Sequence, residues 1–338
     1  MTNFDRTLAR RLLECCRYAN HAGLSGSIND ANLRQELLKW ISSPEHPLAS
    51  DPVVLRPNIT SAACVFPYAD HNVVAYMGTK NDFGGSDSKF ASIADWFQNL
   101  EAIPIPFRLT SEQLGGSGGQ SVNLGGKVHE GFLEELAAVQ PMVIAALMEH
   151  GGQQRPLLVT GHSQGGAEAA LATRAFEHGA FNVASTYTFA APRPGDQDFV
   201  KAVSAAIPVH RLEFGDDIVP HVPPALLSNS ASEIVGSLQS LPFLSKDARL
   251  FLKVVERVGS SEYDALGKLC YGSNKTKSLR TDLTAQQETA LFLDRLWSLI
   301  RHPERWSDHH DLAGTKEEQS KGVKGNYTAL VSDFTFVN

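Results

Sequence analysis

The pentapeptide Gly161-His162-Ser163-Gln164-Gly165 places a serine between two glycines in the pattern Gly-x-Ser-x-Gly. An apolar run at residues 157–159 precedes it, and small residues at helical spacing follow it. This strand–turn–helix context is that of a nucleophile elbow, where a Cβ at either glycine would collide with a neighbouring element. We therefore predict that Ser163 is a nucleophile and that the following helix aims backbone N–H groups at a developing oxyanion. The alternative is a glycine-rich turn before an ordinary helix.

A serine nucleophile needs a histidine base and usually an acid that orients this base. In α/β-hydrolase-type enzymes the acid follows the serine along the chain and precedes the histidine. Asp216 and Asp217 lie between a predicted strand and a proline-rich loop, and active sites collect at such strand ends. Either aspartate fits the acid's place, and the other is then expected to serve as a turn or capping residue.

The candidate bases are His309 and His310, the last two histidines of the chain, which follow both aspartates. For His129, His162 and His221 we expect structural or solvent-facing roles. The alternative interpretation is that His309 and His310 are a surface pair without a catalytic role.

The composition is sufficient for a sizeable hydrophobic core, and the net charge does not point to a particular class of charged partner. The 338 residues are 42% hydrophobic, and the net charge of −7 gives no reason to expect binding to nucleic acid or to anionic membranes. The four cysteines include the adjacent pair Cys15-Cys16 and show neither a disulfide framework nor zinc-type spacing. We expect no cofactor and no metal.

The N-terminus lacks the apolar stretch of a secretory signal peptide. No run approaches the roughly 18 apolar residues that a membrane helix needs, so we expect no integral membrane span. Cytoplasmic location is the expectation, with export by a route without a signal peptide as the alternative. The oligomeric state stays open.

Strands alternate with helices along much of the chain, which favours an α/β fold with a mainly parallel or mixed central sheet flanked by helices. Pro141 is expected to kink or split the helix in which it lies. The sequence predicts a single domain over residues 1–338, with a helical insertion at 225–305 before the C-terminal histidines. The predicted helices cover 4–21, 132–150, 228–258 and 284–301, and the predicted strands cover 62–68, 73–76, 157–160, 186–189, 209–214 and 266–271.

Five separated segments, which occur in family order between about residues 60 and 225, resemble motifs of the class 3 lipase family. This family is typified by the triacylglycerol lipases of filamentous fungi. The segments are Tyr76-Met77-Gly78-Thr79, Asp95-Trp96-Phe97-Gln98-Asn99-Leu100, Val128-His129-Glu130-Gly131-Phe132, Phe189-Ala190-Ala191-Pro192-Arg193-Pro194-Gly195 and Asp217-Ile218-Val219-Pro220-His221-Val222-Pro223-Pro224.

The resemblance implies an α/β-hydrolase-type fold and a serine hydrolase that cleaves carboxylic esters of lipid-like substrates, either acylglycerols or short-chain esters, through an acyl-enzyme. It implies that Ser163 is the nucleophile and that Asp217 rather than Asp216 is the acid. Backbone N–H groups of Thr79 and Gln164 would form the oxyanion hole. Phospholipase A-type activity and a non-catalytic binding module on the same scaffold are the alternatives.

The chain departs from the family pattern at two places in the site. Met77 stands where the family usually has arginine, so a structural ion pair is expected to be missing or replaced. The family's base often lies in Asp-His-x-x-Tyr, and Asp308-His309 matches its start without a nearby tyrosine. We therefore favour His309 over His310 as the base. Scaffold roles are implied for Asp95, Trp96, His129 and Arg193.

In this family the segment that corresponds to residues 80–94 is a lid, and here Phe83, Phe90 and Ile93 are its main bulky apolar residues. Because an interfacial lid normally turns a broad apolar face toward lipid, we predict weak interfacial activation and good activity on soluble short-chain esters. The check is the rate on p-nitrophenyl butyrate across its solubility limit. A jump of several-fold above that limit would contradict this prediction.

Overall fold

The computed structural model describes residues 4–78, 104–223, 235–242, 244, 249, 252–253, 263–301, 309–310, 312 and 326–337. The lid-like loop 80–94, Thr79, Asp95 and Trp96 lie outside the described residues, as do parts of the predicted insertion 225–305. The predictions made for these residues, and for the division into domains, stay predictions.

A nine-stranded mixed sheet in the order β1-β2-β3-β6-β7-β9-β11-β12-β13 forms the centre of the fold. The five strands from β3 to β11 are parallel to one another, whereas β1, β2 and β12 join by antiparallel pairing. These strands are β1 Val53–Leu55, β2 Ala63–Pro67, β3 Asn72–Tyr76, β6 Leu157–His162, β7 Val183–Phe189, β9 Val209–Phe214, β11 Lys268–Ser273, β12 Ser278–Arg280 and β13 Thr335–Val337.

A second sheet of four antiparallel strands, in the order β10-β8-β5-β4, was not predicted. Two of its strands are only two residues long, which leaves no alternation that a sequence pattern can reveal. These strands are β4 Ile105–Thr110, β5 Ser121–Val128, β8 Gly195–Asp196 and β10 Tyr263–Asp264.

Helices cover both faces of the large sheet. The helices described are α1 Arg6–Ser25, α2 Ala31–Ile41, α3 Glu130–Glu149, α4 Gln164–His178, α5 Gln197–Ala202, α6 Ala285–Arg301 and α7 Asn326–Ser332. Successive strand residues point to opposite faces. Accordingly Val74 and Val159 pack in the core on the α3 and α4 side, while Val73 and Leu158 pack in the core on the α1 and α7 side.

Most predicted elements are present. The hairpin is formed by β2 and β3, the strand expected near 266–271 is β11, and the helix expected at 284–301 is α6. Thr284 and Gln287 cap α6 reciprocally, as the spacing of the pair predicts. Of the helix predicted at 228–258, residues 235–239, 249, 252 and 253 are described as helical.

Helix α2 was not predicted from the sequence. Asp30 caps this helix by accepting from two backbone N–H groups, and Leu37 and Ile41 bury its apolar side. An aspartate before leucines spaced four residues apart is the signal that was available.

Of the expected kink or split at Pro141, the split is wrong, because α3 is one helix from Glu130 to Glu149. A proline within a helix cannot donate to the carbonyl four residues earlier, which here belongs to Ala137. The side chain of Gln113 donates to this carbonyl instead, through Nε2 at 3.0 Å. A neighbouring loop thus supplies the hydrogen bond that the helix lacks.

By length and composition alone α3 is also apolar enough to span a membrane, which the sequence analysis did not recognise. Half of its apolar window is buried inside the protein, where it packs against α4 and the edge of the large sheet. The core helix of a globular protein passes the same test, so this finding by itself is weak support for a membrane span.

We predict that Gln113→Ala lowers the free energy of unfolding by about 1 kcal/mol, because the Ala137 carbonyl loses its donor in a partly buried place. In a Pro141→Ala background the same substitution should cost less, since a backbone N–H is then present to donate to Ala137. Urea denaturation of the two single variants and the double variant measures both values. Equal costs in the two backgrounds would contradict this account of α3.

Candidate active site

Ser163 stands at a sharp turn between the end of β6 and the start of α4. Its φ of 55° and ψ of −128° form a conformation that non-glycine residues rarely adopt. A Cβ on Gly161 would overlap the carbonyl of Gly165, and a Cβ on Gly165 would overlap the carbonyl of Tyr76 in β3. Close packing of the two elements against each other therefore holds the serine in its strained conformation.

The imidazole of His310 lies between Ser163 and Asp217. Its Nε2 is 2.9 Å from Ser163 Oγ, and its Nδ1 is 3.1 and 3.2 Å from the two carboxylate oxygens of Asp217. All three side chains are buried. Because a carboxylate accepts but does not donate, Nδ1 carries a proton, and Nε2 is the nitrogen that can accept from the serine hydroxyl.

The preference for His309 over His310 is wrong as a statement of geometry. His309 Nδ1 accepts from the backbone N–H of Asp216 at 2.8 Å, and its ring meets Phe214 edge-on at a centroid distance of 5.2 Å. Both histidines have helical backbone, and adjacent helical residues point about 100° apart. Only one of them can face Ser163, and it is His310.

Of the two aspartates it is Asp217 that reaches the imidazole. Asp216 instead accepts through Oδ2 from the Ser298 hydroxyl of α6 at 2.8 Å. As expected for the pair, one carboxylate hydrogen-bonds to the histidine and the other makes a structural contact.

The Asp217 carboxylate is fully buried and accepts further bonds from the backbone N–H of Val219, at 3.0 Å, and from the Tyr327 hydroxyl, at 2.8 Å. Burial raises the pKa of Asp217, but the charge of His310 and the hydrogen bonds from His310 and Tyr327 outweigh this effect, so the pKa lies below its ordinary value. The carboxylate is therefore ionised at neutral pH and holds the imidazole in one tautomer.

Tyr327 is a site residue that sequence reasoning missed. It stands on α7, and its hydroxyl also accepts from the backbone N–H of Phe214 at 3.2 Å. Burial and the charge of Asp217 raise the pKa of Tyr327 well above its ordinary value, which keeps the hydroxyl proton in place as a donor. Tyr327 is 17 positions after His310, so no motif spacing connects the two residues.

His162, the residue before the serine, ties the elbow to the histidine segment. Its Nε2 donates to the backbone carbonyl of His310 at 2.8 Å, and the two rings lie 4.9 Å apart. Burial, and after it the neighbouring His310, lower the pKa of His162 to about 3, so its ring is neutral at neutral pH. The structural role expected for His162 is thus to support the base.

Gln164 is the first residue of α4, and N–H groups in a first helical turn have no acceptor within their helix. Its side chain donates to the buried Glu168 at 3.0 Å. Burial, and after it the charge of Glu135, raise the pKa of Glu168 well above its ordinary value. The second expected oxyanion donor, Thr79, lies outside the described residues, although a Cβ on the preceding Gly78 would meet the carbonyl of His162 at 2.8 Å.

Of the residues assigned to the scaffold, His129 and Arg193 are described, and both hydrogen-bond to backbone. His129 caps α3 by accepting from the Phe132 N–H at 3.4 Å. Arg193 donates through its backbone N–H to the Val222 carbonyl and through Nη1 to the Pro223 carbonyl. Met77 is buried against Gly23 of α1. At the position where an arginine was expected to be missing, Met77 thus makes an apolar contact with α1 in place of an ion pair.

Within the described part of the chain, no three His, Cys, Asp or Glu side chains come together in a way that could hold a metal ion. What the described residues bring together is an acceptor nitrogen beside a serine hydroxyl and a carboxylate behind that nitrogen. This arrangement can take a proton from the hydroxyl as the oxygen attacks an electrophile.

Residues 83–227 match the family described as lipase (class 3). A lipase of Rhizomucor miehei is 34% identical over 142 residues, covering 40% of this chain and 36% of that relative. A secreted mono- and diacylglycerol lipase of Fusarium solani is 35% identical over 100 residues, covering 29% of this chain and 30% of that relative. The matches thus span about a third of these curated relatives.

Among solved structures, the triacylglyceride lipase of Rhizomucor miehei superposes with a TM-score of 0.51 at 18% identity, over 86% of this chain and 91% of that one. At this identity the likeness shows the fold alone. The prediction of an α/β-hydrolase-type fold is confirmed, and the matches support a class 3, fungal lipase-like family.

We predict that a fluorophosphonate labels this protein at Ser163 and that His310→Ala lowers the labelling rate by about 10³-fold or more, because among the described histidines it is His310 that hydrogen-bonds to the hydroxyl. His309→Ala is the matched control, and its effect should stay below about tenfold, since His309 bonds to the Asp216 N–H and to Asn274 and does not bridge Ser163 and Asp217. Gel-based labelling over time measures both rates. A larger loss for His309→Ala in folded protein would contradict this assignment.

Proposed function

We propose that this class 3 lipase-like chain hydrolyses carboxylic esters of lipid-like substrates through an acyl-enzyme formed on Ser163. The observation that carries the proposal is the continuous contact from Asp217 through His310 to Ser163, at 3.1 and 2.9 Å, within buried surroundings. A histidine held in one tautomer against a strained serine has no evident use in packing, and it is the arrangement that acyl transfer requires.

In the first half of the reaction, Ser163 Oγ attacks the ester carbonyl carbon as His310 Nε2 takes the hydroxyl proton. The tetrahedral intermediate then collapses, and His310 gives this proton to the departing alkoxide, which leaves as the alcohol. Asp217 stays ionised throughout and stabilises the imidazolium that forms between these two steps.

In the second half, a water molecule takes the place of the alcohol, and His310 accepts its proton as the oxygen attacks the acyl carbon. Collapse of the second intermediate releases the carboxylic acid and returns the proton to Ser163 Oγ. The backbone N–H of Gln164 would stabilise both oxyanions, together with that of Thr79. Each such donor is worth about 3 kcal/mol in the transition state.

The similarity to a lipase and to a mono- and diacylglycerol lipase supports acylglycerols as the substrate class. The departing group is then a glycerol or partial-glyceride alkoxide, which needs protonation to leave. His310 lies where it can supply this proton, because it contacts the same Oγ that carries the acyl group.

We predict that the purified full chain hydrolyses p-nitrophenyl butyrate and mono- and dioleoylglycerol, and that Ser163→Ala lowers kcat by about 10³-fold or more with the fold intact. Rates on these esters, with thermal unfolding as the control for folding, measure the effect. Dioleoylphosphatidylcholine in the same panel tests the phospholipase alternative, which a faster rate on that lipid would favour. A folded protein that hydrolyses none of these esters would instead be a binding module, and the proposal would fail.

A further inference from the structure

Helix α6 holds the loop that carries Asp217, and it does so from outside the part of the chain that matches the family model. Arg295 Nη1 donates to Glu213 Oε2 at 2.7 Å, and its Nε donates to the Gly215 carbonyl at 3.0 Å. One turn later, Ser298 donates to Asp216. Residues at three positions just before the acid are thus attached to one helix.

The attachment through Arg295 is buried, since Arg295 and Glu213 are each 1% exposed. Burial alone would lower the pKa of Arg295, but the charge of Glu213 outweighs it, so the guanidinium stays protonated. Removing one partner of such a pair leaves an uncompensated charge, whereas removing both is often tolerated. Arg211 also pairs with Glu213, so one cation remains beside this carboxylate when Arg295 is replaced.

One bond from Arg295 holds the side chain of Glu213 near the end of a strand, and the other holds the backbone of the turn that follows. Glu213 lies in β9, whereas the Gly215 carbonyl lies in the turn itself, where the backbone has a φ of 49°. A guanidinium has donors in a rigid plane and can hold both acceptors at once, whereas a lysine ammonium is a point charge on a flexible stem. The guanidinium of Arg295 therefore sets the direction of the backbone that leads from this turn to Asp217.

We infer that Arg295 is a positioning residue for Asp217, and through it for His310, an inference that rests on the proposed function. A catalytic group misplaced by about 1 Å can cost about 100-fold in rate. Loss of Arg295 should therefore lower kcat and leave KM nearly unchanged, because Arg295 is 1% exposed and acts through the segment before Asp217, on which the imidazole depends.

The experiment compares Arg295→Met, Arg295→Lys and the double variant Glu213→Gln/Arg295→Met with Arg301→Met as the matched control. Arg301 is on the same helix but exposed, with its guanidinium over Trp297 at 4.4 Å. The readouts are kcat and KM on p-nitrophenyl butyrate, corrected for active sites by fluorophosphonate titration, and thermal unfolding.

We expect Arg295→Met to lower kcat by about 10- to 100-fold with KM within about threefold, and Arg301→Met to leave both unchanged. Arg295→Lys keeps the charge and should recover only part of the loss. The double variant removes both partners of the Arg295–Glu213 pair and leaves Arg211 paired with Glu288, so it should fold while still showing the loss in kcat. An active-site-corrected kcat equal to wild type in either the Lys or the double variant would overturn the inference.

A double-mutant cycle with Asp217→Asn separates positioning from general destabilisation. If Arg295 acts through Asp217, Arg295→Met should lower the residual labelling rate of the Asp217→Asn protein by less than about twofold, because groups that act as a unit are not additive. A full additional loss in that background would overturn the inference. Unchanged ester hydrolysis after Ser163→Ala would instead refute the proposed function, so the two failures are distinguishable.

Discussion

The buried carboxylate of Asp217 is the constraint on which the arrangement of the site depends. Taking a charge out of water costs several kcal/mol unless partners replace its hydration. Here His310, Tyr327 and the Val219 N–H surround the carboxylate, and their hydrogen bonds together keep it ionised. The hydrogen bonds that offset the desolvation of this charge also orient the imidazole of His310. One set of contacts therefore supports both the stability of the fold and the reactivity of the site.

These partners come from distant parts of the chain, and the large sheet brings them together. Strands β6 and β9 are parallel and separated only by β7, so the turns after them meet at the same sheet edge. The C-terminal part of the chain then returns to this edge, where β13 pairs with β12 and α7 places Tyr327 beside Asp217. The bond from His162 to the His310 carbonyl ties the elbow directly to the returning segment. The segment that carries His310 and Tyr327 is thus a component of the site.

Much of the secondary structure followed from the sequence, because its signals are local. The β2–β3 hairpin, β11 and the capped start of α6 were predicted from short-range patterns. The failures arose where a distant residue changed the outcome. Pro141 does not break α3, since Gln113 from another segment satisfies the carbonyl that proline leaves without a donor. The four-stranded sheet was missed because two of its strands are too short to show a period.

The sequence by itself determined the elbow at Ser163, since the strain on one residue and the lack of Cβ atoms on its neighbours are properties of a single short segment. Only the tertiary structure decided between His309 and His310. The two are adjacent and chemically identical, and what distinguishes them is the direction each takes relative to Ser163, 147 positions away from His310. The role of Tyr327 could not be predicted from the sequence either. It depends on the packing of α7 against β9, and no spacing along the chain indicates it. Local sterics can be read from neighbouring residues, whereas orientation toward a distant partner exists only once the chain has folded.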